Sequence, residues 1–161
     1  RLLDQMAWPY SIHDTREEFS SEQLYPRAVQ CITSTVADLM SSETEKTLNR
    51  FSDILLLGHD WAEDQEHLLS LLSIFTGAGH QLDGGQAPRV GVIGSRSKWQ
   101  SFEQEALREG IPQHLLDQVL CPIGMNIGAE SPEEIAVAVV AQILSAHKGV
   151  RPEQPTWRQS S

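Results

Sequence analysis

In "RVGVIGSRSKWQSF", residues 89–102, an apolar β-branched run meets a small turn, Gly94 and Ser95, and two cations follow at Arg96 and Lys98. The order strand, glycine turn, helix start is the one in which free backbone N–H groups and a helix dipole converge on an anion. Arg96 has the planar fork that fits a phosphate or carboxylate, and Lys98 would act as a point charge. Both cations lie where a helix dipole repels them, a cost that a bound anion would offset. A plain connector, with Ser95 or Ser97 capping the helix and the cations solvated, is the competing account. His59 and Asp60 offer metal or acid–base chemistry, or Asp60 simply caps the helix that follows. A metal would need three or four converging ligands, and only His13 or Asp14 stands ready to join, so no metal is expected. Asp14 ends the predicted strand "YSIHD", where a dinucleotide enzyme places the acid that accepts from a ribose hydroxyl; as a turn residue it would instead cap "TREEF". Cys121, before Pro122, is a thiol for sulfur chemistry or a small buried hydrophobe. Cys31 falls inside a predicted strand and reads as core.

The elements that must position these groups alternate. Strands are expected over 10–14, 28–34, 53–59 and 89–95, the last two nearly continuous apolar runs, as strands covered on both faces should be. A helix over 61–75 opens with Asp60 as N-cap and Glu63 three positions on, the spacing of a capping box. A second, 97–108, puts Trp99, Phe102, Ala106 and Leu107 on one face and stops at Gly110. A third starts at Ser131 with Pro132 and Glu134 and ends at Gly149. Residues 76–88 form a glycine-rich loop and 150–161 a polar tail, leaving one domain over 1–149. This pattern implies an α/β fold: an open, mostly parallel sheet with helices on both faces. Ligands of such sheets sit beyond the carboxyl ends of the strands. One crevice should therefore collect His13, Asp14, Ser34, His59, Asp60, Gly94, Ser95 and Arg96. A dinucleotide fold would begin with a further strand and G-x-G-x-x-G, which would precede Arg1; the chain is therefore expected to open part-way through such a unit.

Composition narrows the partners. The 161 residues carry a formal charge of −10, with 40% apolar and 21% charged residues. This argues against a nucleic-acid surface, which needs a basic stripe, and against acidic membranes. No apolar run reaches the ~18 residues of a membrane span, and the opening residues lack the layout of a signal peptide. Two cysteines are too few for a secreted disulfide framework, so a reduced, cytoplasmic chain is expected.

The run from "GVIGSRSKWQSF" through "CPIGMNIGAESPEEIAVAVVAQIL" resembles the C-terminal Rossmann-type domain of the XdhC/CoxI family. The resemblance rests on Ile93–Arg96 with Lys98, on Pro122–Gly124 and on Ile127–Ile143. Upstream, "HDTREEF" and "GHDWAEDQEHL" resemble other segments of that family. The string "GAGH" at 77–80 resembles the family's first glycine turn, but no helix follows it. The resemblance implies an accessory protein rather than an enzyme, one that matures xanthine dehydrogenase-type molybdoenzymes. It implies molybdopterin as the bound cargo, held at Gly94, Ser95, Arg96 and Lys98 with Asp14, His59, Asp60 and Cys121 nearby. A cysteine desulfurase partner is implied in the same way, and a homodimer is left open. An NAD(P)-dependent oxidoreductase and a ligand-free interaction module are the alternatives; the first lacks a recognisable catalytic acid and base.

Overall fold

A computed structural model describes residues 1–76 and 79–151. The residues group into two compact units, Leu3–Ile123 and Gly124 onward together with Arg1–Leu2. The predicted tail from 152, and Gly77 and Ala78 of the "GAGH" string, lie outside the described residues.

All four predicted strands form, each shorter than expected: β1 Ser11–Asp14, β2 Gln30–Thr33, β3 Asp53–Leu56 and β4 Arg89–Val92. They pair in parallel, β1 with β2 and β3 with β4. The hydrogen-bonded ladders are thus two pairs, where one continuous sheet was expected. The strands end early because the residues that follow turn away to begin helices or tight turns. Leu120–Ile123 runs along β4 as a further parallel segment that the sequence reading missed: Leu120 N donates to the Val90 carbonyl, Val92 N to that of Leu120, and Ile123 N to that of Val92. Gly91 explains itself here. A Cβ at this position would stand 2.9 Å from Ile123 Cδ1, so the central strand keeps a glycine to let its neighbour close in.

The long predicted helices also form. α4, Trp61–Phe75, buries Leu68, Leu71, Leu72 and Phe75 in one stripe, and α5, Arg96–Arg108, buries Phe102 and Ala106. α4 packs on β3 and is flanked by α5 and by a short helix, α2 (Val36–Ser41). Gly110 adopts φ 84°, and the N–H groups of Gly110 and Ile111 turn back onto Leu107 and Ala106 to close α5. Three short helices, α1 Leu2–Gln5, α3 Glu45–Leu48 and α6 Gln113–Leu116, complete this part of the chain. α2, α3 and α6 are too brief to show an apolar period and escaped the sequence reading. The core joins Leu56, Val90 and Val92 to the α4 and α5 stripes and to Leu115 and Leu116. Cys31 is outside it: β2 has exposed ends and two half-buried central residues, so the thiol is half-buried rather than core.

In the second unit α7, Pro132–Lys148, starts with the expected capping box between Ser131 and Glu134 and ends at Gly149 in a left-handed conformation. Gln142 reaches from this helix to accept from Gly124 N at 2.6 Å.

Leu107 shares the sequence stripe of Phe102 yet is 46% exposed, whereas Phe102 is fully buried. Phe102→Ala should cost about 3–5 kcal/mol of unfolding free energy, and Leu107→Ala less than about 1 kcal/mol. Urea denaturation of the two variants beside the parent chain checks the difference.

Candidate functional site

The strand ends converge as the fold class requires, but through side chains the sequence reading did not pair. Lys98 is the central departure. Expected as a point charge for a bound anion, or as a solvated cation if the turn were only a connector, it is buried on the first turn of α5. Its Nζ donates to Asp64 Oδ2 at 2.6 Å and to the Ile93 carbonyl at 3.1 Å. Both side chains are nearly inaccessible, 5% for Lys98 and 8% for Asp64. The pair ties the first turn of α4 to the first turn of α5. It also accounts for two strand-end glycines. A Cβ on Gly58 would lie 2.3 Å from Asp64 Oδ1, and one on Gly94 would lie 2.8 Å from Lys98 Cδ. Gly94 therefore makes room for a lysine as well as forming the turn.

Around the pair, each predicted site residue has a definite place. Ser95 caps α5, accepting from Lys98 N at 3.3 Å and sharing a hydrogen bond with Ser97 Oγ at 2.9 Å. Arg96 is exposed and has no side-chain partner among the described residues. Asp60 is the N-cap of α4 and accepts from Ala62 N and Glu63 N; these two bonds hold its carboxyl below the usual range. The expected reciprocal bond from Glu63 is replaced by a longer tie, because Glu63 accepts from Thr15 Oγ1 at 3.0 Å. Asp14 accepts from the Arg16 guanidinium in a fork, 2.9 and 3.0 Å, and from Arg16 N at 2.9 Å. The side-chain bonds to Arg16 are the main reason its pKa falls. Asp14 is thus a turn residue whose oxygens are engaged. His59 is exposed, and its Nε2 accepts from Arg16 Nη1 at 3.3 Å. Cys121 is half-buried against the core; burial pushes its thiol pKa up, more than the nearby Lys98 charge brings it down. No His, Cys, Asp and Glu cluster among the described residues has metal-binding geometry.

Two further groups complete the region. His67 on α4 meets His13 edge to face, ring centroids 5.5 Å apart, and His13 Nε2 donates to the Ser34 carbonyl at 3.0 Å. Burial first, then the His13 neighbour, pushes the His67 pKa down to about 4, with Asp64 opposing. Asp64, His67 and Arg16 were all absent from the sequence-derived site. A signal for the first was nevertheless present. Asp64 falls on the same helical stripe as Leu68, Leu71 and Phe75, and Lys98 on that of Phe102 and Ala106. Opposite charges at the start of two apolar stripes are intelligible only if they meet.

Parallel strand pairs, helices that begin at the strands' carboxyl ends and a polar cluster gathered there define an α/β protein of the Rossmann-like class. The family model described as the XdhC Rossmann domain matches residues 1–143, and the chain belongs to that family. A Bacillus subtilis (strain 168) protein described as a probable xanthine dehydrogenase subunit is 28% identical over 139 residues, 86% of this chain and 36% of that protein. The uncharacterized protein YqeB of Escherichia coli (strain K12) is 33% identical over 76 residues, 44% of this chain and 14% of its own. A crystal structure described as a xanthine dehydrogenase from Bacillus halodurans has a TM-score of 0.67 at 22% identity, covering 96% of this chain and 40% of the other. The chain spans well under half the length of each of these proteins.

Removing one partner of a buried ion pair strands the other charge. Asp64→Leu and Lys98→Met should each cost about 3–5 kcal/mol, whereas the double variant should recover most of that loss. A double-mutant cycle by chemical denaturation reads the coupling.

His67 sets a pH dependence. In the unfolded chain a histidine protonates near 6.5, but folded His67 stays neutral down to about 4. The unfolded state therefore binds the extra proton, and stability falls as pH drops from 6.5 towards 4, by up to about 1.4 kcal/mol per pH unit. His67→Gln should flatten that slope, measured as urea midpoints at several pH values. The carboxylates with lowered pKa values, such as Asp14 and Asp60, act only at lower pH.

Proposed function

We propose that this Rossmann-like domain belongs to a cytoplasmic accessory protein, not itself an enzyme, that serves the maturation of xanthine dehydrogenase-type molybdenum hydroxylases. Its cargo is the molybdopterin form of the molybdenum cofactor, handed on to the client enzyme. A cysteine desulfurase supplying the terminal sulfido ligand is the second partner. Family membership and the xanthine dehydrogenase descriptions of two relatives support the class of client.

The observation that carries the cargo reading is Arg96. Its exposed guanidinium stands on the first turn of α5 without a side-chain partner among the described residues, in a chain of net charge −10. In so negative a field an anionic ligand is repelled except where positive charge is concentrated locally. The first N–H groups of a helix have no partner within it, and Ser95 satisfies one of them, that of Lys98. The remainder, with the Arg96 fork, suit a terminal phosphate. Lys98 contributes here from beneath: its ammonium holds the Ile93 carbonyl and so fixes the path of the chain into Gly94. A nicotinamide dinucleotide is the weaker fit, because a ribose hydroxyl would have to displace the Arg16 fork from Asp14.

Arg96→Ala should weaken binding of isolated molybdopterin by roughly ten- to a hundredfold with little change in stability. Arg96→Lys should recover only part of it, since the fork is lost. Titration of the parent chain and both variants at low and moderate salt checks this. Equal affinity throughout would reduce the turn to a connector, and micromolar NADH binding with turnover of a carbonyl substrate would favour an oxidoreductase.

A further inference from the structure

We propose that Trp61, with Leu57 beside it, is the platform on which the ligand's planar heteroaromatic ring stacks while Arg96 takes its phosphate, an inference that rests on the function proposed above. Trp61 is the first residue of α4 and is 50% exposed; Leu57, just past the end of β3, is 53% exposed. These are two large apolar side chains left in water four residues apart, at the end of the fold where α/β proteins bind their ligands. The indole has neither a ring partner nor a hydrogen-bond partner among the described residues. As the first residue of α4, Trp61 follows β3, which ends at Leu56, by five positions, so it stands at the strand's carboxyl end.

The buried ion pair sets where this platform stands relative to Arg96. Asp64 lies three residues after Trp61, and Lys98 two residues after Arg96, and their contact at 2.6 Å pins the two first turns together. Trp61 and Arg96 are each the first residue of their helix, so the pin holds the two helix starts that carry them side by side. Packed helix axes run about 8–10 Å apart. That spacing suits a ligand with a flat ring at one end and an anionic group at the other. The ring half is held by stacking, which tolerates variation in the ring's substituents, and the anionic half by charge. A protein partner that buries the same tryptophan is the competing occupant. The unpartnered guanidinium on the first turn of the neighbouring helix favours the small bipartite ligand, since it supplies a charge for the anionic end.

Separate probes test the two halves. The full chain is titrated with 6-hydroxymethylpterin, which has no phosphate, and separately with inorganic phosphate, using calorimetry and tryptophan emission. The parent should bind the pterin with quenching of its emission. Trp61→Ala should weaken pterin binding by about tenfold or more and leave phosphate binding unchanged. Trp61→Phe should retain most of the affinity while losing most of the quenching, a signature that a purely structural tryptophan would not give. Arg96→Ala should do the reverse of Trp61→Ala, lowering phosphate affinity alone. Pterin affinity unchanged in Trp61→Ala, or no pterin binding by the parent chain, overturns the platform; a phosphate effect in Arg96→Ala would then leave the phosphate turn standing. Loss of pterin binding in Trp61→Ala with no effect of Arg96→Ala on phosphate supports the platform and overturns the phosphate turn instead.

Discussion

Two charges buried side by side govern the carboxyl end of this fold. An ammonium or carboxylate taken out of water alone would cost several kcal/mol, and the loss is recovered only if the partner is close and the remaining hydrogen-bonding capacity is met. Asp64 and Lys98 meet at 2.6 Å, and the Ile93 carbonyl takes another of the ammonium protons. Once that contact is required, much else follows. α4 and α5 must begin side by side. The chain leaving β3 must be glycine at 58, and the chain leaving β4 must be glycine at 94, because the carboxylate and the lysine stem fill the space a Cβ would take. The glycine turn that resembles a ligand cradle is therefore a packing device.

The ends of β1 and β3 are joined by a second, more exposed set of contacts. Thr15 reaches Glu63, Arg16 reaches His59, and the His13 and His67 rings meet edge to face. Arg16 also lies over the Phe19 ring at 4.1 Å, which orients its guanidinium while Asp14 takes the fork. Among the described residues no strand-to-strand hydrogen bond links β1–β2 to β3–β4. Side chains, rather than a shared ladder, bring those two pairs together at this end. Arg96, by contrast, has no side-chain partner among the described residues, which leaves an unpaired positive charge at the strand ends.

Much of this could be read from the residues in order. The long helices declared themselves through their caps: Asp60, Ser95 and Ser131 each accept from the backbone they precede. The strands declared themselves through β-branched runs, though their last residues bend away to serve the turns. Short helices gave no period to detect. The site was legible in location more than in detail, since the strand-end rule depends on topology alone. Which side chains pair depends on three-dimensional proximity. Lys98 seemed free because its partner lies 34 positions away on another helix, and Asp14 seemed available because its fork with Arg16 is a matter of rotamer. Cys31 reads as core because an apolar neighbourhood in sequence does not reveal that a strand is only half-covered, as β2 is at Cys31 and Ile32.

The opposite end of the β3–β4 pair holds a feature with a different consequence. Asp53 and Arg89 are register partners in the parallel ladder, and their side chains form a fork at 2.7 and 2.9 Å. Arg89 also donates to the Asp83 carbonyl, and its guanidinium occupies the space beside Gly84, where φ is 84°. The other three register pairs of the ladder are uncharged and could in principle slide by one position at little cost in backbone hydrogen bonds, and doing so would turn Val90 and Val92 away from the core. The fork forbids the slide, because the guanidinium meets its carboxylate in only one alignment. A charged pair at the edge of an apolar sheet thus works as an indexing mark, deciding which of several similar alignments the chain keeps.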